Sequence, residues 1–276
     1  MDKIEILASD LDGTLFDSQG RLSEKNLRAI EELDRLGIWF VPTTGRTLGE
    51  ISPLLVNNPC IRYLIHSNGA VIYDKQTGKR VLNCLPRKTL DKIFSLVGND
   101  EVHVTVRYSG VTYCDARKNS QEAYAYYNVC SAHSEILKMV AVEKQDFDRW
   151  HAGLDHVEVI SLFFKSEDSY KACRERLKTL EDVRAVNAAP YNLEIFSKTA
   201  GKGVALSHLA DMLGVRLQNT AAVGDSGNDL HALQTAGIGF AVANASAELK
   251  AVADELICSC DEDAIDYILH HFVKEK

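Results

Sequence analysis

The feature that most restricts how this chain can fold is an alternation at its start. A β-prone run, Lys3-Ile4-Glu5-Ile6-Leu7-Ala8-Ser9, precedes a helical stretch; a second apolar run spans Ile38 to Pro42, a helix follows to about Val56, and a third run covers Ile61 to His66. Parallel strands need a crossover between them, so strand, helix, strand, helix, strand predicts a doubly wound parallel sheet of the α/β class, a Rossmann-like core. The first helix is read from Leu27, Ile30, Leu33 and Leu36 at spacings of three, behind Ser23-x-x-Asn26 and ahead of Gly37 as C-cap.

After about residue 83 the rhythm changes. Val102 to Val106, Val111 to Cys114 and Val157 to Phe164 read as strands, interleaved with helical stretches near Lys88 to Val97, Asn119 to Val129 and Ser166 to Leu180. From Tyr191 the alternation returns: a strand at Asn192 to Phe196, a helix from Gly203 to Leu213, a strand at Asn219 to Val223, a helix from Asp229, a strand at Gly237 to Val242 and a closing helix from Asp261 to Val273. The expected organisation is one core, residues 1–83 and 191–276, interrupted by an α+β cap domain at 84–190, a size within the usual domain range.

With 46% hydrophobic and 25% charged residues and only 5 prolines, the chain is composed like an ordinary folded protein rather than a disordered or fibrous one. Its net charge of −8 disfavours nonspecific attraction to nucleic acid or anionic membrane, so neither is expected as a partner. No window approaches the ~20 apolar residues of a membrane helix, and Met1-Asp2-Lys3-Ile4-Glu5 lacks the apolar run of a secretory leader. Seven scattered cysteines suit free thiols in a reducing compartment, and a cytoplasmic location is expected. Cys258 and Cys260 form the single close pair; with no second Cys or His cluster nearby in sequence, buried thiols are favoured over a soft-metal site.

In open parallel sheets, ligands bind beyond the carboxyl ends of the strands. Those ends carry Asp10 and Asp12 after the first strand, Thr44 after the second, Asn68 after the third and Gly224-Asp225-Ser226-Gly227-Asn228-Asp229 after a later one, while Lys202 opens a helix in the same half. Several carboxylates without a matching set of cations repel one another unless a hard cation sits among them, and oxygen ligands of this kind select magnesium. Magnesium commonly takes a substrate phosphate as a further ligand, and Thr44 and Lys202 suit phosphoryl oxygens, so the expected chemistry is phosphoryl transfer.

These residues resemble the haloacid dehalogenase superfamily of phosphohydrolases. The superfamily pattern D-x-D-x-T stands as Asp10-Leu11-Asp12-Gly13-Thr14, followed in order by Thr44, Lys202 and Gly224 to Asp229. Intervals of 34 residues from Asp10 to Thr44, 158 from Thr44 to Lys202 and 23 from Lys202 to Asp225 put the one long insert between threonine and lysine. That placement, with Thr44-Gly45-Arg46, Ser67-Asn68-Gly69-Ala70, Leu193-Glu194-Ile195 and Lys202-Gly203, resembles the Cof-like subgroup with a large α/β cap, whose members include sugar phosphatases. The insert matches in position and size only, and Phe196 to Gly201 departs from relatives that usually carry a proline before the lysine.

The resemblance implies a magnesium-dependent phosphatase acting on small phosphorylated metabolites, sugar phosphates as the favoured class. It implies that Asp10 is the nucleophile that forms an aspartyl-phosphate, and that Asp12 is the acid and base. Magnesium would be held by Asp10, the Asp12 carbonyl and Asp225. Thr44, the Leu11 and Gly45 amides, Lys202 and Asn228 would cradle the phosphate, with Arg46 and Asn68 reaching substrate or cap. Asp229 would orient from behind, and Thr14 would hold the Asp12-Gly13 turn by bonding to backbone.

The same residues admit other readings. Thr44 could be a simple helix N-cap and Lys202 a solvated helix residue, but four ordered elements at strand ends are hard to explain structurally. Gly224-Asp225-Ser226-Gly227 is also the tetrapeptide around the nucleophile of chymotrypsin-like serine proteases, a fold that is all-β and secreted. Receiver domains gather aspartates, threonine and lysine around magnesium too, yet need neither Asp12 nor a chain of 276 residues. A phosphosugar mutase with the same intermediate is the alternative closest in chemistry.

Overall fold

Ile6–Ser9 lies at the centre of a sheet, all four of its residues buried, because crossover helices cover both faces of a parallel sheet. The structure, a computed structural model, describes residues 3–98, 101–187 and 189–274. Met1 and Asp2, part of the leader reading, fall outside them. The strand pairs in parallel with Trp39–Pro42 on one side and Thr220–Gly224 on the other, and Ile238–Ala241 and Glu255–Leu256 extend the sheet to five strands. The helix Glu24–Arg35 forms where the sequence predicts it: the Ser23 hydroxyl accepts the Asn26 N–H, Ile30 and Leu33 face inward, and Gly37 turns the chain at φ 74°. Lys202–Leu213 and Leu230–Thr235 pack closely where Gly203 meets His231.

Tyr63–His66 continues the parallel arrangement only through a single bridge, Thr43 to Ile65. It turns instead into an antiparallel ribbon with Val71–Asp74 and Arg80–Leu82, two strands the sequence reading missed. The helix expected from Arg46 to Val56 is broken into a short turn at Leu48–Glu50 and a single helical turn at Pro53–Val56. Proline excludes the helical conformation from the residue before it, and Ser52 is accordingly outside it, at φ −51°, ψ 131°. The closing helix is likewise divided, because Asp263 takes a left-handed conformation at φ 62° between Cys260–Glu262 and Ala264–Ile268. Among the described residues, no helix is long and apolar enough to cross a membrane.

The chain forms two units: Met1–Gly45, Ser52–Leu82 and Gly201–Lys276 in the first, Arg46–Ile51 and Asn83–Ala200 in the second. The second unit contains a six-stranded sheet in the spatial order Val183–Val186, Asn192–Ser197, Val159–Phe164, Val102–Tyr108, Val111–Asp115, Val142–Lys144, antiparallel except for the last pair. Asn192–Ser197, read from sequence as the return to the core, is a strand of this sheet; its pairing partners Ile160 to Phe163 decide its membership, and local alternation cannot reveal them. The return to the first unit comes at Gly201. One face of the sheet carries an apolar core with Leu90, Ile93, Ile160, Leu162, Phe164, Cys173 and Leu177. A smaller cluster contains Tyr124, Val129, Leu137 and Phe163.

Candidate active site

Backbone ladders bring the strand-end residues of the first unit together. The Asp10 N–H donates to the Val223 carbonyl at 3.0 Å, which sets Asp10 beside the Gly224-Asp225 loop. The Thr43 N–H donates to Ser9, Thr44 to Ile65, and Asn68 to the Thr44 carbonyl at 3.0 Å, so the ends of three strands are stitched side by side. Phe16 closes the turn after Asp10 by donating to Leu11, and Gly13 passes through φ 75°.

Lys202, the first residue of its helix and almost fully buried, donates from Nζ to Asp10 Oδ1 at 2.7 Å and to Asp229 Oδ1 at 2.5 Å. The other Asp229 oxygen accepts the Asp225 and Ser226 N–H groups, both at 3.2 Å. Gly224 makes room for this, since a Cβ there would stand 2.4 Å from Asp229 Cγ. One carboxylate oxygen each from Asp10, Asp225 and Asp229 lies within 4.8 Å of the others. Asn228 Nδ2 donates to Asn68 Oδ1 at 3.5 Å, and that same oxygen would stand 2.8 Å from a Cβ on Gly45. Ser67, Asn68 and Gly69 all have positive φ, a costly run for the first two, and they sit buried in this cluster.

Leu11 and Thr14 are buried beneath the turn, Asp12 is exposed at its tip, and Thr44 is buried at the end of its strand. Arg46 belongs to the second unit, where its Nη1 donates to the Glu50 carbonyl at 3.0 Å. The Thr14 reading requires correction: its buried Oγ1 has no hydrogen-bond partner among the described residues, so it does not hold the turn as expected. Besides the main-chain bond from Phe16 to Leu11, the turn is held from outside by Asn244 Nδ2, which donates to the Gly13 carbonyl at 2.7 Å. Sequence reasoning missed Asn244, which follows the strand Ile238–Ala241 and stands, like Asp10 and Asp225, beyond the carboxyl end of a core strand.

Burial raises the Asp10 carboxyl well above its ordinary range against the pull of Lys202, with Asp229 and Asp225 adding to the rise. Burial also pushes Asp225 up to about 6, helped by Asp229. Burial works against the Lys202 ammonium, but Asp10 and Asp229 outweigh it and keep the group charged. One cation thus serves three clustered carboxylates, all hard oxygen donors, and such a donor set fits a divalent cation of the magnesium type.

A family profile described as haloacid dehalogenase-like hydrolase matches residues 7–269. The chain belongs to this family. It is 27% identical over 285 residues to phosphatase YwpJ of Bacillus subtilis, covering 98% of this chain and all of that one. It is 25% identical over 272 residues to the 5-amino-6-(5-phospho-D-ribitylamino)uracil phosphatase YcsE of the same organism, with 98% and 96% covered. A solved haloacid dehalogenase-like hydrolase from B. subtilis superposes with a TM-score of 0.82 at 28% identity over 98% of this chain and 100% of the other. The sugar phosphatase BT4131, of subclass IIB in the same superfamily, superposes at 0.78 and 21% identity, covering 97% and 98%, which speaks for the fold. Family and relatives together make this chain an enzyme of the phosphatase type, with the Cof-like architecture.

Proposed function

We propose that this member of the haloacid dehalogenase-like hydrolases is a magnesium-dependent phosphatase that hydrolyses small phosphorylated metabolites in the cytoplasm, sugar or polyol phosphates first among them, through an aspartyl-phosphate. The observation that carries the reading is the convergence of Asp10, Asp225 and Asp229 within 4.8 Å, with Lys202 bonded to Asp10. A phosphate ester is an anion, and the Lys202 ammonium supplies a fixed positive charge beside the attacking carboxylate. Free cysteines throughout agree with a reducing compartment.

In this mechanism an Asp10 carboxylate oxygen attacks phosphorus, the bond from phosphorus to the ester oxygen breaks, and Asp12 passes its proton to the departing alkoxide. Asp12 then takes a proton from water, whose oxygen attacks the same phosphorus, and cleavage from Asp10 frees inorganic phosphate and restores the carboxylate. Lys202 holds one Asp10 oxygen, which leaves the carboxylate one fixed orientation, and Asp229 holds Lys202 and the Asp225 backbone in place. Thr44, Asn228 and the amides of Leu11 and Gly45 are the phosphate cradle, with Asn68 bracing Asn228. Asp10, Asp225 and the Asp12 carbonyl would hold magnesium, whose charge neutralises the phosphoryl oxygens when it is bound.

The test is a panel of sugar, polyol, nucleotide and cofactor phosphates assayed for phosphate release with magnesium, with chelator, and with Asp10→Asn. Release that depends on magnesium and disappears in the variant supports the proposal. Full release from Asp10→Asn, or in chelator, refutes it.

A further inference from the structure

The loop after the strand Ile238–Ala241 ties together the two segments that carry the clustered aspartates of the site. Its Val242 N–H donates to the Gly224 carbonyl at 3.3 Å and its Ser246 N–H to the Asp225 carbonyl at 2.8 Å. Its Ala243 N–H donates to the Cys258 carbonyl at 3.1 Å, and the Cys260 N–H donates to Asn244 Oδ1 at 2.9 Å. The loop is therefore fixed on two sides by main-chain bonds. From it the Asn244 amide reaches across 231 positions of sequence to the Gly13 carbonyl at 2.7 Å, between Asp12 and Thr14.

The point of contact matters because of what Gly13 faces. A Cβ built on Gly13 would lie 2.6 Å from Asp225 Oδ2 and 3.7 Å from Asn244 Nδ2, so the turn and the Asp225 carboxylate are already at closest approach. Gly13 stands at φ 75°, and a residue without a Cβ has several other conformations open to it; the buried Thr14 hydroxyl makes no bond among the described residues that would select one. The Asn244 amide does select one. It sets the direction of the Gly13 carbonyl, hence the plane of the peptide after it and the spacing between the Asp12 turn and Asp225.

We propose that Asn244 is a positioning residue of this enzyme: its side-chain amide locks the Asp12-Gly13 turn against Asp225, so that the carboxylates from the two segments are preset for one cation and one phosphoryl group. Asn244 is exposed, so its replacement removes little packing, and a loss of function there reports on alignment. A group that orients first ligands from behind typically carries about 10- to 100-fold in metal affinity or activity. The inference rests on the phosphatase reading for its catalytic arm, and its metal arm stands without it.

The experiment compares the wild type, Asn244→Ala and Asn244→Asp. Asn244→Asp retains an oxygen for the Cys260 N–H but turns a second acceptor toward the Gly13 carbonyl; Asn244→Ala loses both bonds. Three quantities are read on each protein: Tm in chelator, the rise in Tm with added magnesium as a measure of binding, and kcat and KM for p-nitrophenyl phosphate. The expected result is a Tm in chelator within a few degrees of wild type, a magnesium titration weakened about tenfold or more in both variants, and a kcat lowered about 10- to 100-fold with KM little changed. Asn244→Asp retaining wild-type titration and kcat overturns the proposal, because the Gly13 bond is then dispensable. So does a loss confined to Asn244→Ala, or one that only follows a collapse of Tm. If the wild type binds magnesium but releases no phosphate from any ester, the phosphatase reading fails while the titration still decides the role of Asn244.

Discussion

Lys202 and Asp10, 192 positions apart in the sequence, are joined by a 2.7 Å hydrogen bond between two almost fully buried side chains. The ammonium sits between Asp10 and Asp229, and no other charge of its sign is bonded to either among the described residues. Replacing it leaves two carboxylates buried and uncompensated. Lys202→Met, close in length and without charge, is expected to lower kcat/KM by about 10²-fold or more and to cost about 3 to 5 kcal/mol of stability at neutral pH. Phosphate release and urea denaturation measure the two effects. A variant as stable and as active as the wild type would contradict the assigned role of the ammonium.

Gly13 is the second residue whose replacement is informative. Gly13→Ala asks an alanine to hold φ 75° and to put a methyl 2.6 Å from Asp225 Oδ2. The left-handed conformation costs about 1 to 2 kcal/mol, and the contact must be relieved by moving the turn or the carboxylate. The expected outcome is a modest fall in Tm with a much larger fall in activity. Activity lost only in proportion to folded protein would show that the close approach has no functional consequence.

The parts of this site that could be read from the sequence are those built from a strand and the residues immediately after it. Asp10, Asp12, Thr44, Asn68 and Asp225 each follow an apolar run, and parallel pairing carries such ends to one edge regardless of loop detail. Lys202 and Asp229 were legible through motif order. Asn244 was not, because its role lies in a bond to a carbonyl 231 positions away and its residue type is ordinary for a turn. The membership of Asn192–Ser197 was hidden for a similar reason: a buried strand reads alike whichever sheet it joins, and its partners Val159–Phe164 and Val183–Val186 settle the matter only in three dimensions. The broken helix after Arg46 was legible in principle, since Gly49 and Ser52-Pro53 interrupt it.

Two glycines with nearly the same backbone angle separate strain from packing. Gly69 has φ 82° and a Cβ there would lie 2.3 Å from the Gly201 carbonyl, immediately before Lys202; Gly20 has φ 72° and open space around it. Gly20→Ala should cost only the conformational term, about 1 to 2 kcal/mol. Gly69→Ala adds a clash with main chain that no rotamer relieves, so the N-terminus of the helix bearing Lys202 must shift. Greater destabilisation in Gly69→Ala, with activity lost in the fraction that remains folded, is the expected contrast. Equal Tm changes in the two variants would mean that the Gly69 to Gly201 approach is not tight in solution.

A buried histidine of the second unit links folding to acid. His103 is fully buried among the rings of Tyr124, Tyr127 and Phe163. Burial, reinforced by the charge of Lys118 and only partly opposed by the Lys118 backbone and by Asp115, lowers its pKa from 6.5 to about 4. The folded state therefore holds the neutral ring, and the unfolded chain binds the extra proton. Stability is complete above about pH 6.5 and falls as pH drops toward 4, by about 3 kcal/mol over the window. His66, buried and lowered to about 3, adds a parallel loss, so the test is a difference. His103→Phe keeps an aromatic ring in the cage and removes the titration. Its urea midpoint should change less than the wild type's between pH 7 and pH 4.5, and equal changes would show that His103 is not what links folding to acid in this range.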